Sequence, residues 1–168
     1  MQQMYRVLYL CTGNSARSIL AEALTHRLAR GRFEAYSAGS NPRGEVHPMT
    51  LALLRSVGLP TDGLRSKSWN EFAAPEAPAM DFIITVCDRA AGEPCPVWPG
   101  HPVTGHWSIP DPAAVDGPLL VRQAAFRDAM YVLKQRISLL TELKADSLDR
   151  MALRVRLGDI ARQATSQP

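Results

Sequence analysis

Tyr5-Arg6-Val7-Leu8-Tyr9-Leu10 runs directly into Cys11-Thr12-Gly13-Asn14-Ser15-Ala16-Arg17-Ser18, and this junction decides the fold. The first six residues form a short apolar run of strand character. A helical pattern begins near Ser15 and continues to about Arg30, with Ile19, Leu20, Ala23, Leu24 and Leu28 on one face and Gly31 placed to end it. A strand that passes into a helix through such a loop aims backbone N–H groups and a helix N-terminus at one point. That point is a seat for a tetrahedral oxyanion.

Each residue of the loop has a physical part to play. Cys11 is the candidate nucleophile, because loop amides and a helix N-terminus lower a thiol's pKa and present a thiolate to the anion. Gly13 supplies backbone freedom where the chain wraps tightly. The short polar side chain of Asn14 suits an unusual loop conformation. Arg17 offers a planar fork of donors that matches two oxyanion oxygens at once. Ser18 is placed to hydrogen-bond the Cys11 sulfur. Thr12, Ser15 and Ala16 complete the string, so the candidate oxyanion-binding residues run from Thr12 to Ser18. The same residues also allow a plainer reading, a buried inert cysteine followed by a polar turn.

Strand and helix patterns alternate along the rest of the chain. Phe33 to Ala38 reads as a strand. His47 to Val57 reads as a helix, with Pro48 in its first turn and Gly58 after its end. Residues 59–70 form a polar connection, and Glu71 to Ala79 is short and interrupted by proline. Met80 to Val86 is nearly all apolar and fits a buried parallel strand. Gly92 to Gly117 is rich in proline and glycine and reads as long loops. Leu119 to about Leu143 is the longest helix, with Phe126, Met130, Leu133, Ile137 and Leu140 forming its core stripe. Asp146 to Gln163 carries a weaker stripe of Leu153, Leu157 and Ile160. Its polar face mixes Arg with Asp, which favours a packed helix or a dimer contact over a membrane-surface helix.

This alternation implies an α/β fold: a single domain over residues 1–145, built on an open parallel sheet with helices on both faces, and a C-terminal helical extension over 146–168. Ligands of such sheets bind beyond the carboxyl ends of the strands. Cys11 and Cys87 each follow a strand, so both thiols fall on the same edge.

Composition narrows the function classes. The 168 residues are 46% hydrophobic and 21% charged, as in ordinary globular domains. Nineteen basic against sixteen acidic residues leave a net charge of +3, too small and scattered to argue for nucleic acid. A small anionic substrate suits it better. No apolar run approaches the ~20 residues of a membrane span. Tyr5 to Cys11 is too short for an export signal and contains Arg6. The expectation is a cytoplasmic protein, monomer or homodimer, without membrane or nucleic-acid partners.

The three cysteines, Cys11, Cys87 and Cys95, are an odd set and cannot all be paired structurally. No Cys-x-x-Cys or Cys/His cluster suggests zinc, so no metal is expected. Gly92 and Pro94 make the segment between Cys87 and Cys95 able to bend, and a disulfide across it is feasible. Asp111 sits between Pro110 and Pro112, in a loop stiffened on both sides. A carboxyl held over an anion site can protonate a leaving oxygen; an Asp-Pro turn is the plainer alternative.

Cys11 to Ser18 after an N-terminal strand resembles the phosphate loop of the low-molecular-weight protein tyrosine phosphatases and of the arsenate reductases related to them. Ile84-Thr85-Val86-Cys87-Asp88 and Cys95-Pro96 resemble the redox segment of the reductases. His106-Trp107-Ser108-Ile109-Pro110-Asp111-Pro112-Ala113 resembles their general-acid loop, and Tyr36-Ser37-Ala38-Gly39 fits the second strand of both groups. The likeness covers roughly residues 5 to 140.

The resemblance implies a four-stranded sheet and a reduction of arsenate to arsenite for detoxification. On this reading Cys11 attacks arsenate held by the loop and Arg17, and Asp111 protonates the departing hydroxide. Cys87 then attacks Cys11, and Cys95 resolves the disulfide. The implied reductant is external, thioredoxin or glutaredoxin with glutathione, and no cofactor is tightly bound. Two departures weigh against the alternative, phosphatase action on phosphomonoesters with Cys11, Arg17 and Asp111 alone. Ala113 stands where phosphatases commonly carry an aromatic residue, and Ala16 where they carry a second loop cysteine. A third reading, a non-catalytic oxyanion-binding or redox-sensing module, has no use for a general acid. Some reductases of this type bind potassium through asparagine, glutamate, serine and aspartate. Asn14, Glu22 and Ser37 match three of these, but Ser68-Trp69-Asn70 offers no aspartate, which leaves the potassium site incomplete.

Overall fold

The computed structural model describes residues 3–29 and 31–163. Four strands, β1 (Tyr5–Leu10), β2 (Phe33–Ala38), β3 (Phe82–Thr85) and β4 (Val103–His106), form one parallel sheet in the order β2-β1-β3-β4. Leu10 pairs with Ala38 and with Thr85, and Thr85 pairs with His106. The four strands therefore end level with one another, and the residues that follow them share one edge. β1 lies second in the sheet and is fully buried from Val7 onward, as its unbroken apolar run requires.

Side chains alternate between two cores. Val7, Tyr9, Phe33, Ala35, Phe82, Ile84 and Val103 face the larger one. It is covered by α1 (Arg17–Leu28), α5 (Leu119–Thr141) and α6 (Arg150–Gln163). Leu8, Leu10, Ala38 and Ile83 face the smaller one. A one-turn helix, α3 (Asn70–Ala73), Met80 and the indoles of Trp69 and Trp98 cover that side, with the two rings edge to face at 6.1 Å. α2 (Pro48–Ser56) packs on α1 and α5, and His47 caps it by accepting from Met49 N at 3.0 Å. Gly58, at φ 76°, follows it.

Several expectations shift. β4 lies inside the stretch read as loops, because four residues with a central glycine are too few to show a period. A short helix, α4 (Asp88–Gly92), also begins in the Cys87–Cys95 segment read as a loop. α1 starts at Arg17 rather than Ser15, since the loop carries on to Ala16. The expected helix end at Arg30 and residues 164–168 of the extension lie outside the described residues. α6 starts at Arg150, after a 3-10 turn at Ala145–Ser147, and buries Leu153, Leu157 and Ile160 in the larger core, a packed helix as expected. Among the described residues no helix is long and apolar enough to cross a membrane.

Candidate active site

The loop after β1 is held from outside by its carbonyls. Thr12 O accepts from Asn41 N, Gly13 O from Arg43 N and the Ser66 hydroxyl, and Ser15 O from His47 N and the Thr50 hydroxyl. Asn14 sits at φ 44° and is wholly buried. Its amide donates to Ser18 Oγ at 2.8 Å and Ser37 Oγ at 3.1 Å, and its carbonyl accepts from Lys67 N at 2.9 Å. Ser18 thus engages Asn14 rather than the Cys11 sulfur, as the expectation had it. Gly39 explains the tight seat of the loop: a Cβ there would lie 2.4 Å from Thr12 O and 2.6 Å from Cys11 O.

Cys11 and Cys87 follow the adjacent strands β1 and β3 and line the same cavity, where each thiol acts on the proton affinity of the other. The Cys87 sulfur also accepts from Thr12 N at 3.3 Å and from Ala90 N, in the first turn of α4, at 3.4 Å. The Thr12 hydroxyl lies 3.7 Å away. The neighbouring Cys11 thiol and these donors hold the Cys87 thiol down to about 5. Cys11 moves the other way. The neighbouring Cys87 and its own burial raise it, against the pull of Arg17 and Gly13 N–H. The direction for Cys11 is thus the opposite of the expected lowering, because Cys87 and burial act on it while the backbone donors of Thr12 and Ala90 gather on Cys87.

Cys95 is exposed, beyond the far end of α4, with its Sγ 3.6 Å from Glu93 O. The structure does not place it against the other two thiols. Glu93 accepts from the Thr12 hydroxyl at 3.0 Å and so ties this segment to the loop.

Arg17, Asp111 and the loop meet at one cavity of about 240 Å³. This is below the roughly 300–1,000 Å³ of sites for drug-sized ligands. Beyond Cys11 to Arg17 it is lined by Asn41, Arg43, Cys87, Arg89, Asp111 and Ala113, with no aromatic side chain. Arg17 Nη1 donates to Ile109 O at 2.8 Å, and Nη2 lies 3.7 Å from Asp111 Oδ2. Asp111 Oδ1 accepts from Ala113 N at 3.0 Å, which fixes the carboxyl at the start of a 3-10 turn. Sequence reasoning missed Arg43 and Arg89, which carry no motif and arrive from two different segments.

Beneath the loop, Ser37 donates to Glu22 Oε1 at 2.6 Å, and the Lys67 ammonium lies 3.8 Å from the same oxygen. Lys67 is buried and also donates to Arg65 O at 2.8 Å. Burial lowers its pKa and Glu22 opposes that shift. Of Asn14, Glu22 and Ser37, it is Glu22 that has this cation of the chain's own beside it, while Asn14 meets the backbone N–H of Lys67. The feature that argues against a potassium ion beside Glu22 is the buried Lys67 ammonium, rather than a residue of Ser68-Trp69-Asn70.

Comparison with known proteins agrees with this architecture. Residues 6–150 match the family described as low molecular weight phosphotyrosine protein phosphatase. An arsenate reductase of Shouchella clausii is 31% identical over 136 residues, 81% of this chain and 94% of that protein. The crystal structure of an arsenate reductase from Archaeoglobus fulgidus superposes with a TM-score of 0.64 at 28% identity, over 82% of this chain and 99% of that one. A thioredoxin-dependent arsenate reductase from Corynebacterium glutamicum gives 0.59 at 25% identity, over 82% of this chain and 60% of that one. With its strand order, its loop and the extent of the match, the chain belongs to the low-molecular-weight phosphotyrosine protein phosphatase family, among the relatives of its arsenate reductases.

Proposed function

We propose that this protein reduces arsenate to arsenite by passing electrons through its thiols. The observation that carries the reading is that Cys11 and Cys87 line one small polar cavity walled by the guanidinium groups of Arg17, Arg43 and Arg89. A phosphatase needs one thiol there. A reductase needs two, and the second must be a ready nucleophile, as the low pKa of Cys87 makes it.

The steps balance as follows. Arsenate seats against the loop amides and Arg17, and one of its oxygens takes the proton of the Cys11 thiol to become the hydroxyl that departs. The Cys11 sulfur bonds to arsenic, and Asp111 gives a proton to the departing hydroxide, which leaves as water. The Cys87 thiolate then attacks the Cys11 sulfur. The S–As bond breaks with its electron pair going to arsenic, so arsenite leaves and a Cys11–Cys87 disulfide remains. The Cys95 thiolate attacks Cys87 and frees Cys11. An external dithiol protein, thioredoxin or glutaredoxin with glutathione, reduces the Cys87–Cys95 disulfide. α4 must give way for the third step, since it separates the two cysteines. A reducing, cytoplasmic setting suits three free thiols. No tightly bound cofactor enters, and Lys67 serves in place of potassium.

Cys11, Arg17 and Asp111 also suffice to cleave a phosphate ester, so a slow phosphatase side activity accompanies this reading. The test is arsenite production by the purified protein with each reductant, beside phosphate release. Cys11→Ser abolishes both activities. Cys87→Ser and Cys95→Ser stop reductive turnover and keep phosphate release. Wild-type arsenate turnover by Cys87→Ser would end the relay.

A further inference from the structure

The segment from Trp107 to Asp111 carries the acid, and its supports lie outside the cavity. Trp107 is completely buried, and its indole Nε1 donates to Leu157 O of α6 at 3.1 Å. Arg136 of α5, also buried, donates from Nη1 to Ser108 O at 2.9 Å and from Nη2 to Ala161 O of α6 at 3.2 Å. Ala161 belongs to the last turn of α6, where carbonyls run short of partners within the helix and carry the negative end of its dipole. A guanidinium there answers both needs, and its other arm reaches the acid segment. One residue on, Ile109 O holds Arg17.

α6 also lies against β4 at close range. A Cβ on Gly105 would meet Leu157 Cβ and Cδ1 at 3.0 Å, so glycine is what lets the strand and helix approach. β4 leads straight into Trp107. The family match ends at Arg150, the first residue of α6, so the family pattern assigns no part to this helix.

We propose that α6 is a positioning element for the active site, setting the Trp107–Asp111 segment through Trp107 and Arg136 and thereby placing Asp111 and Arg17 over the oxyanion. The inference rests on the oxyanion chemistry proposed above for those two residues. The chain of contacts is continuous: α6 to Trp107 and Arg136, these to the segment, the segment to Arg17 through Ile109 and to the cavity through Asp111.

Two measurements on the full chain test it: hydrogen–deuterium exchange, and protection of Cys11 from alkylation by inorganic phosphate. Trp107→Phe keeps an aromatic ring in the core and removes the donor to Leu157. Arg136→Met keeps the length and removes the fork. In both, amides between Trp107 and Ala114 exchange roughly tenfold faster, the equivalent of about one lost hydrogen bond, while those of β1 keep their wild-type rate. The phosphate concentration giving half-protection rises about threefold to tenfold, because Arg17 loses its fixed seat. Met151→Ala, on the exposed face of α6, changes neither reading.

Unchanged exchange in both variants overturns the proposal. So does acceleration spread evenly over the sheet, since that marks a general loss of stability. If Arg136→Met does not fold, Trp107→Phe decides. If phosphate fails to protect Cys11 in the wild type, the oxyanion reading fails, and exchange alone still decides whether α6 holds the segment.

Discussion

Replacing Asn14 with alanine removes the internal brace of the phosphate loop, and the cost follows from its contacts. Three buried hydrogen bonds go: to Ser18 at 2.8 Å, to Ser37 at 3.1 Å and from Lys67 N at 2.9 Å. Each contributes about 1 kcal/mol net. The backbone at φ 44° adds about 1 kcal/mol, because alanine lacks the tolerance of asparagine for the left-handed region. The total is about 4 kcal/mol. For a chain of this size that lowers the melting temperature by about 10 °C. Urea unfolding in phosphate-free buffer measures it, since a bound anion would mask part of the loss. Asn14→Gly separates the two terms: it relieves the backbone but not the bonds, and recovers about 1 kcal/mol. An Asn14→Ala variant within about 0.5 kcal/mol of wild type would refute the brace, and a glycine variant no better than alanine would refute the backbone term.

Gly39→Ala drives a methyl group into the carbonyls of Cys11 and Thr12, so phosphate protection of Cys11 weakens at least about tenfold and stability falls by about 2 kcal/mol; unchanged protection would show that the seat is looser than described. The Cys87 thiol, near 5 in the folded protein, lies below an unfolded thiol, so its contribution is complete above the unfolded value and drains away as pH falls toward 5. Cys11, raised on folding, contributes below the unfolded value and loses that above it. Ultraviolet titration should show one thiolate appearing with a midpoint about 5, absent in Cys87→Ser; no thiolate signal at neutral pH contradicts the pair. Lys67→Met strands a buried Glu22 and costs about 3 kcal/mol, partly restored by potassium over sodium at equal ionic strength; a potassium-dependent wild type would rule out Lys67 as the resident cation.

The parts of this site that could be read from the chain share one property: their chemistry is local. Cys11 to Ser18 declares a strand, a loop and a helix within fourteen residues of Tyr5, and the apolar run ending at Val86 places Cys87 on the same sheet edge. What stayed hidden depends on convergence. Lys67 is one lysine in a polar connection, and only folding brings it against Glu22. Arg43 and Arg89 reach the cavity from separate segments. β4 is four residues long and takes its stability from β3 and α6 rather than from its own pattern. The mutual influence of Cys11 and Cys87 is a property of two strand ends side by side, and neither strand announces it.

The thin cover of the smaller core has an optical consequence. Two of the three tryptophans, Trp69 and Trp98, stand edge to face there, and Trp98 follows Cys95 by three residues. The third, Trp107, is sealed in the opposite core. Any rearrangement that brings Cys95 toward Cys87 pulls on the chain that anchors one partner of that pair. On the proposed relay Trp98 lies near the segment that must move while Trp107 stays in the opposite core, so emission followed through a single oxidation would report that motion in real time, without a label.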